Sequence, residues 1–217
     1  MLKRIKNIDA FIHVKFISHF LSLEVNTLGH IRVTKAFKPL LKQSKGRIVT
    51  ATSIAGRIAL PYAAPYSVAK FACEAYMDCV RQEVQPWGVT VSIVEPGVFK
   101  TPIVDRSGMK NRIEGVWSKM TDEQKAEYGE DFKNYFAIHW SDTFYNLGSP
   151  HIEWVIDDYY HAVTAMFPRN RYRVGWDAYL IFIPCTFLPT MLVDAINAYL
   201  LAPTKMKPAS LEKAKQS

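Results

Sequence analysis

The sequence predicts an α/β fold, the C-terminal part of a doubly wound parallel sheet with helices on both faces. Three observations carry this. Arg47 to Ser53 and Val89 to Val94 are short runs rich in β-branched residues, the composition of strands buried on both faces. Between them, Ala64 to Val84 places Val68, Cys73, Tyr76, Val80 and Val84 on one side of a helix and Glu74, Asp78, Arg81 and Gln82 on the other. Pro96-Gly97 then turns the chain just past the second run, at the strand end where open α/β sheets bind their ligands. Strand, helix and strand in that order make a βαβ unit with a right-handed crossover.

The chain has 217 residues, enough for one domain with a real core, and 49% of them are hydrophobic, which excludes a disordered composition. Its net charge of +7 comes from basic residues spread along the chain, densest in the tail Lys205 to Lys215. With no nucleic-acid motif present, a solvated basic surface is the expectation and nucleic acid is not an expected partner. Cys73, Cys79 and Cys185 have no paired spacing, which argues against a disulfide scaffold and a zinc site and fits reduced surroundings. The histidines do not cluster with carboxylates at ligand spacing, so no metal is expected.

Met1 to Val25 opens with Lys3, Arg4 and Lys6 and then turns apolar, but His13, Lys15 and His19 break it too often for a secretory core or a membrane span. Its second half reads as a helix that feeds into Asn26 and continues to about Leu41, with Gly46 as a plausible stop. From Asp105 to Asn146 the chain is charged and aromatic with no strand signal, and Thr121-Asp122-Glu123-Gln124 is a helix-start pattern. Trp117, Tyr128, Phe132, Tyr135, Phe136 and Trp140 read mainly as packing residues, with a share of them open to a pocket role. Ile152 to Phe167 looks helical, and Arg171 to Val174 reads as a last edge strand. Ala178 to Val193 carries one charge-free apolar run after another, too short and too broken by Pro184 and Pro189 to span a bilayer. A buried C-terminal helix pair and an interfacial membrane segment both fit it.

The chemistry centres on Ser53, Tyr66 and Lys70. Tyr66 and Lys70 stand four apart, so on a helix they share a face about one turn from each other. An ammonium beside a phenol favours the phenolate and is expected to draw the tyrosine pKa down towards the working range of a general acid or base. Ser53, at a strand end, can hold a substrate oxygen between its hydroxyl and the phenol.

Asn26 in V-N-T-L-G, Ser53 in G-R-I-V-T-A-T-S-I-A-G, Tyr66 and Lys70 in Y-S-V-A-K, and E-P-G-V-F-K-T from Glu95 to Thr101 together resemble the short-chain dehydrogenase/reductase family. R-N-R-Y from Arg169, G-W-D-A from Gly175 and Leu188-Pro189-Thr190 narrow the resemblance to the branch of retinol and hydroxysteroid dehydrogenases. The resemblance runs from about Asn26 to Ala209. It implies a Rossmann-like domain transferring hydride between a nicotinamide and a retinoid or steroid alcohol. It makes Tyr66 the general acid/base, with Lys70 lowering its pKa and binding the nicotinamide ribose. Ser53 would hold the substrate oxygen, and Asn26 would support a water relay to Lys70. Pro96, Gly97, the backbone of Val98 and the hydroxyl of Thr101 would lie beside the nicotinamide.

The family's T-G-x-x-x-G-x-G turn, its N-N-A-G segment and its ribose-reading acidic residue do not occur in the chain. Only the nicotinamide end of an NAD or NADP site is therefore expected, in a chain that starts near the family's fourth helix. The resulting divisions are a non-family segment 1–25, a catalytic part 26–104, substrate-lid helices with the last strand and the hydrophobic C-terminal helices 105–202, and a basic tail 203–217. The family's habits also imply a homo- or hetero-dimer through the Asn26 and Tyr66 helices and attachment to the endoplasmic reticulum membrane surface. The competing expectation is a non-catalytic product that misfolds or associates with a full-length relative.

Overall fold

A computed structural model describes residues 19–201 and 207–213. The first 18 residues, most of the segment set apart above, lie outside the described residues, as does much of the basic tail. Among the described residues the strands form one parallel sheet in the order β1 (Arg47–Ala51), β2 (Thr90–Pro96), β3 (Arg171–Val174). Ile48 pairs with Val91 and Thr50 with Ile93, while Val94 pairs with Tyr172. The central strand β2 is buried from Val91 to Glu95, as expected of a parallel strand covered on both faces.

Periodicity assigns each face. Val91 and Ile93 point to one side, where Cys73, Met77, Val80 and Val84 of helix Ala64–Val84 form the core with Ile48. On the other face lies helix Glu153–Thr164, where the Arg47 guanidinium donates to the Ala162 carbonyl at 3.3 Å. The expected helix over Ala64 to Val84 is observed over that range. The helix before β1 runs Gly29–Ser44 and ends on Lys45 in the left-handed region (φ 52°), with Gly46 N–H donating to the Leu41 carbonyl at 2.9 Å. The stop is thus one residue earlier than Gly46, but Gly46 completes it.

The chain divides into two compact units. One, Ser18–Val98 with Ser149–Leu188, holds the whole sheet. The other contains Phe99–Gly148 and the described residues from Pro189 on. This boundary differs from the sequence divisions: β3 belongs with the catalytic part because its ladder to β2 ties it there.

The second unit is helical, with Arg106–Trp117, Asp122–Tyr128 and Glu130–Leu147. The helix start at Thr121 is a capping box, with Gln124 N–H donating to Thr121 Oγ1 at 3.3 Å and Thr121 N–H to Gln124 Oε1 at 3.0 Å. Tyr128, Phe132, Phe136, Trp140 and Phe144 recur every fourth residue and stack in a row, with centroids 4.7 to 6.2 Å apart. That row is the packing role expected of these aromatics.

Ala178 to Val193 is neither a long helix nor fully buried. It breaks into a π turn, Ala178–Phe182, a single turn, Ile183–Cys185, and the start of helix Thr190–Leu200, with prolines at both breaks. Phe182, Ile183 and Cys185 are buried, whereas Phe187 and Met191 are 81% and 84% exposed. Among the described residues, no helix is long and apolar enough to cross a membrane.

Candidate active site

Ser53 follows β1 in extended backbone (φ −179°) and caps the turn Ile54–Gly56, its Oγ accepting the Ala55 N–H at 3.2 Å. Gly56 is where that turn meets helix Ala64–Val84. A Cβ there would lie 2.9 Å from the Lys70 carbonyl oxygen and 2.9 Å from Glu74 Cγ, so only glycine admits this approach. The helix opens with proline in its first turn, pre-set for helical φ, and Tyr66 follows directly. Its hydroxyl lies near that of Ser53, which works to lower the phenol pKa. Lys70 comes one turn later, buried, with Nζ 5.6 Å from the centre of the Tyr66 ring and 3.4 Å from the Ala51 carbonyl, to which it donates. The structure therefore brings Ser53, Tyr66 and Lys70 together in one unit, at the C-terminal end of β1.

The electrostatics differ from the sequence expectation. Burial pushes the Tyr66 phenol above its ordinary value, with Ser53 working against it. Burial also pulls Lys70 down, opposed by Cys73 and Glu74. The expected fall of the tyrosine pKa is not seen here, because desolvation of the phenol outweighs what its polar neighbours supply.

Asn26 lies inside a π-helical turn, Glu24–Leu28, in which the Gly29 N–H reaches back to the Glu24 carbonyl. Nothing in the sequence signalled this turn, a device common at functional sites. The Asn26 side chain donates to the Ser22 carbonyl at 3.1 Å, within its own helix. Its neighbour Thr27 is buried and donates to the Ala69 carbonyl at 2.8 Å, fastening the turn to the helix that carries Tyr66 and Lys70. His30, one turn on, is held below its ordinary pKa by burial and by the charge of Lys70, against a backbone hydrogen bond at Asn26. Thr27 and His30 were not singled out by sequence reasoning, though both flank the V-N-T-L-G segment.

Pro96 ends β2, and Gly97 extends the ladder by one bond, its N–H donating to the Val174 carbonyl at 2.7 Å. Both backbone groups of Val98 are engaged: its N–H donates to Asp177 Oδ2 at 2.7 Å and its carbonyl accepts the Ser149 N–H at 2.9 Å. A nicotinamide carboxamide would have to share or displace one of these partners. Thr101 falls in the helical unit, in a tight turn where its N–H donates to the Phe99 carbonyl at 2.8 Å. Asp177, within the quoted G-W-D-A, is a further residue of this turn to which the sequence reading gave no role.

A parallel sheet flanked by helices, with a hydroxyl, a phenol and an ammonium gathered at one strand end, is a Rossmann-like arrangement. The family model described as short chain dehydrogenase matches residues 10–112. Over 198 residues the chain is 48% identical to a 3beta-hydroxysteroid dehydrogenase of Caenorhabditis elegans, covering 90% of this chain and 51% of that protein. It is 40% identical over 179 residues to retinol dehydrogenase 5 of Mus musculus, covering 82% and 56%. The crystal structure of a short chain dehydrogenase from Burkholderia cenocepacia in complex with NADP superposes with a TM-score of 0.53 at 23% identity, over 84% of this chain and 59% of that one. Over residues 10–112 the chain is similar to the short-chain dehydrogenase family. It spans about half the length of the curated relatives it matches. The family match also begins at residue 10, inside the segment that the sequence reading set apart.

Proposed function

We propose that the chain carries the alcohol-handling end of a nicotinamide-dependent dehydrogenase acting on a retinoid or steroid alcohol. The observation that carries this reading is the convergence of Ser53, Tyr66 and Lys70 on consecutive elements. The Ser53 and Tyr66 hydroxyls hold the substrate oxygen. Tyr66 takes or returns the proton at that oxygen. Lys70 stabilises the phenolate and binds the nicotinamide ribose, and the Asn26 turn supports a water relay to Lys70. NAD or NADP, when bound, supplies the hydride acceptor or donor. Within the sheet unit, the residues present fit its nicotinamide end, at Tyr66, Lys70, Pro96, Gly97 and Val98. They do not fit its pyrophosphate end: among the described residues, no glycine-rich turn joins a strand to a helix N-terminus.

A second reading is favoured by the edge of β1. Among the described residues β1 pairs only with β2, and its free side borders a groove of about 350 Å³ lined by Val25, His30, Val33, Ile48 and Val49. Val33, Phe37 and Leu40 make an exposed apolar stripe on helix Gly29–Ser44, and Val68 and Phe71 are exposed on helix Ala64–Val84. In this reading the chain is non-catalytic and misfolds, or associates with a longer relative through those helices.

Calorimetric titration of the chain with NAD and NADP, beside retinol and steroid turnover, separates the two. Without the pyrophosphate contacts, each charge-assisted bond lost removes about 1.5–3 kcal/mol, so saturable millimolar binding is expected, with no turnover by the chain alone. Micromolar binding with turnover would show a complete site. Absence of saturable binding would leave the non-catalytic reading.

The reading extends to location. Exposed Phe187 and Met191, with lysines beyond them, would hold the chain at an intracellular membrane surface, that of the endoplasmic reticulum. Flotation with liposomes containing anionic lipid is the measurement, and protein left wholly in the soluble fraction would contradict it.

A further inference from the structure

A buried carboxylate holds the Pro96–Gly97–Val98 turn in place. Beyond β3 the chain reverses at Gly175, whose φ of 107° is open to glycine, and brings Asp177 beneath the end of β2. Asp177 is 0% exposed. Its Oδ2 accepts the Val98 N–H at 2.7 Å, and its Oδ1 has no hydrogen-bond partner among the described residues. A Cβ built on Gly97 would lie 2.6 Å from Asp177 Cγ and closer still to both oxygens. Gly97 is not in the left-handed region, so the residue is small there for the sake of the carboxylate and not for backbone freedom.

A carboxyl is a costly group to bury, and burial here pushes its pKa up, with the bond from the Val98 amide opposing. The sheet does not require it. The β2–β3 ladder is complete through the Gly97 N–H, and the Val98 carbonyl is already held by Ser149. What Asp177 adds is a fixed position for one backbone amide at the ligand-binding end of the strand.

We propose that Asp177 is the positioning residue of the nicotinamide end: by holding the Val98 amide, which it shares with an incoming carboxamide, and occupying the space against Gly97, it sets the backbone edge that the cofactor meets. This rests on the dehydrogenase reading above. The carboxylate acts through the turn and touches no reacting atom.

The test uses the 217-residue chain with Asp177→Ala, Asp177→Asn, Gly97→Ala and the double variant Gly97→Ala/Asp177→Ala. Hydrogen exchange is read at the Val98 amide, with the Ile93 amide, which donates to the Asn170 carbonyl in the ladder, as internal reference. Asp177→Ala should speed Val98 exchange by about tenfold or more relative to Ile93, while Asp177→Asn, which keeps an acceptor oxygen, stays near wild type. Unchanged Val98 exchange in Asp177→Ala overturns the proposal. Nicotinamide mononucleotide is the second probe: its affinity should fall about fivefold or more in Asp177→Ala and be retained in Asp177→Asn. Equal or higher affinity in Asp177→Ala overturns the positioning role even if exchange rises. No binding of the probe to the wild type overturns the dehydrogenase reading and the positioning role with it, while Val98 exchange still decides whether Asp177 holds the turn. Gly97→Ala should lower the unfolding temperature, and the double variant should regain part of that loss because the obstructing carboxylate is gone. A double variant as unstable as the two single changes summed would refute the contact. Should Asp177→Ala not fold, the double variant, whose methyl fills part of the vacated space, takes its place in both binding and exchange.

Discussion

Replacing Tyr66 by phenylalanine is expected to lower alcohol turnover by about 10²- to 10⁴-fold in any assembly of this chain that turns over. The substitution keeps the ring, so the packing at the start of helix Ala64–Val84 and the approach of Lys70 at 5.6 Å survive. It removes only the hydroxyl and its polar contact with Ser53. The loss should fall on kcat more than on KM, because the proton moves in the transition state while Ser53 still holds the substrate oxygen. The raised pKa of the buried phenol adds a condition. With Lys70 turned to the Ala51 carbonyl, the phenolate is poorly supported, so substrate and cofactor must complete the environment that makes Tyr66 an effective base. Steady-state kinetics of the pair decides the matter, and a Tyr66→Phe variant working at the wild-type rate would remove Tyr66 from the reaction.

Arg171→Met should destabilise the sheet unit by about 3–5 kcal/mol, the usual result of deleting one partner from a buried ion cluster. Arg171 ties β3 to both its neighbours: it reaches Glu74 at 2.5 Å and Asp78 on helix Ala64–Val84, and Glu95 on β2. Glu95 is 0% exposed and, among the described residues, also pairs with Arg173 at 3.5 Å. Removing the guanidinium leaves Glu74 facing Glu95, with only the more distant Arg173 against Glu95. Burial already raises the Glu74 pKa, and the loss of Arg171 raises it further. A carboxyl whose folded pKa lies above its unfolded value binds more protons in the native state, so its contribution improves as pH falls. The gap between Arg171→Met and wild type should therefore narrow towards the acid side of the carboxylate range. Denaturant unfolding at several pH values measures it, and a gap that widens on acidification would contradict the account.

The parts of the fold that rest on local periodicity could be read from the sequence. Helix Ala64–Val84 repeats its apolar side every third or fourth residue, and β2 is a run of β-branched residues, so each declares itself within its own length. The site was legible to the same degree: Tyr66 and Lys70 meet because four residues make about one turn, and Ser53 because a strand ends there. What could not be read depends on contacts distant in sequence or on departures from regular geometry. The Gly97–Asp177 contact joins positions 80 apart, and the Arg171 cluster gathers charges from three elements. The pKa of Tyr66 went the other way because its burial, set by the tertiary fold, outweighed the charge that the spacing implied.

The π turn at Glu24–Leu28 makes the site depend on chain length as well as on residue identity. A π turn holds one residue more than an α turn, so the helix behaves as though a residue had been inserted at Asn26. Deleting one residue from the turn would let the hydrogen-bond ladder close up as a regular α-helix, drawing the residues of the turn out of their present positions while the flanking residues keep their faces. Thr27 would lose its line to the Ala69 carbonyl, or Asn26 would leave its place beside it. A homologue can therefore keep every site residue and still lack this arrangement through a single-residue gap, a difference that a count of matching residues does not register.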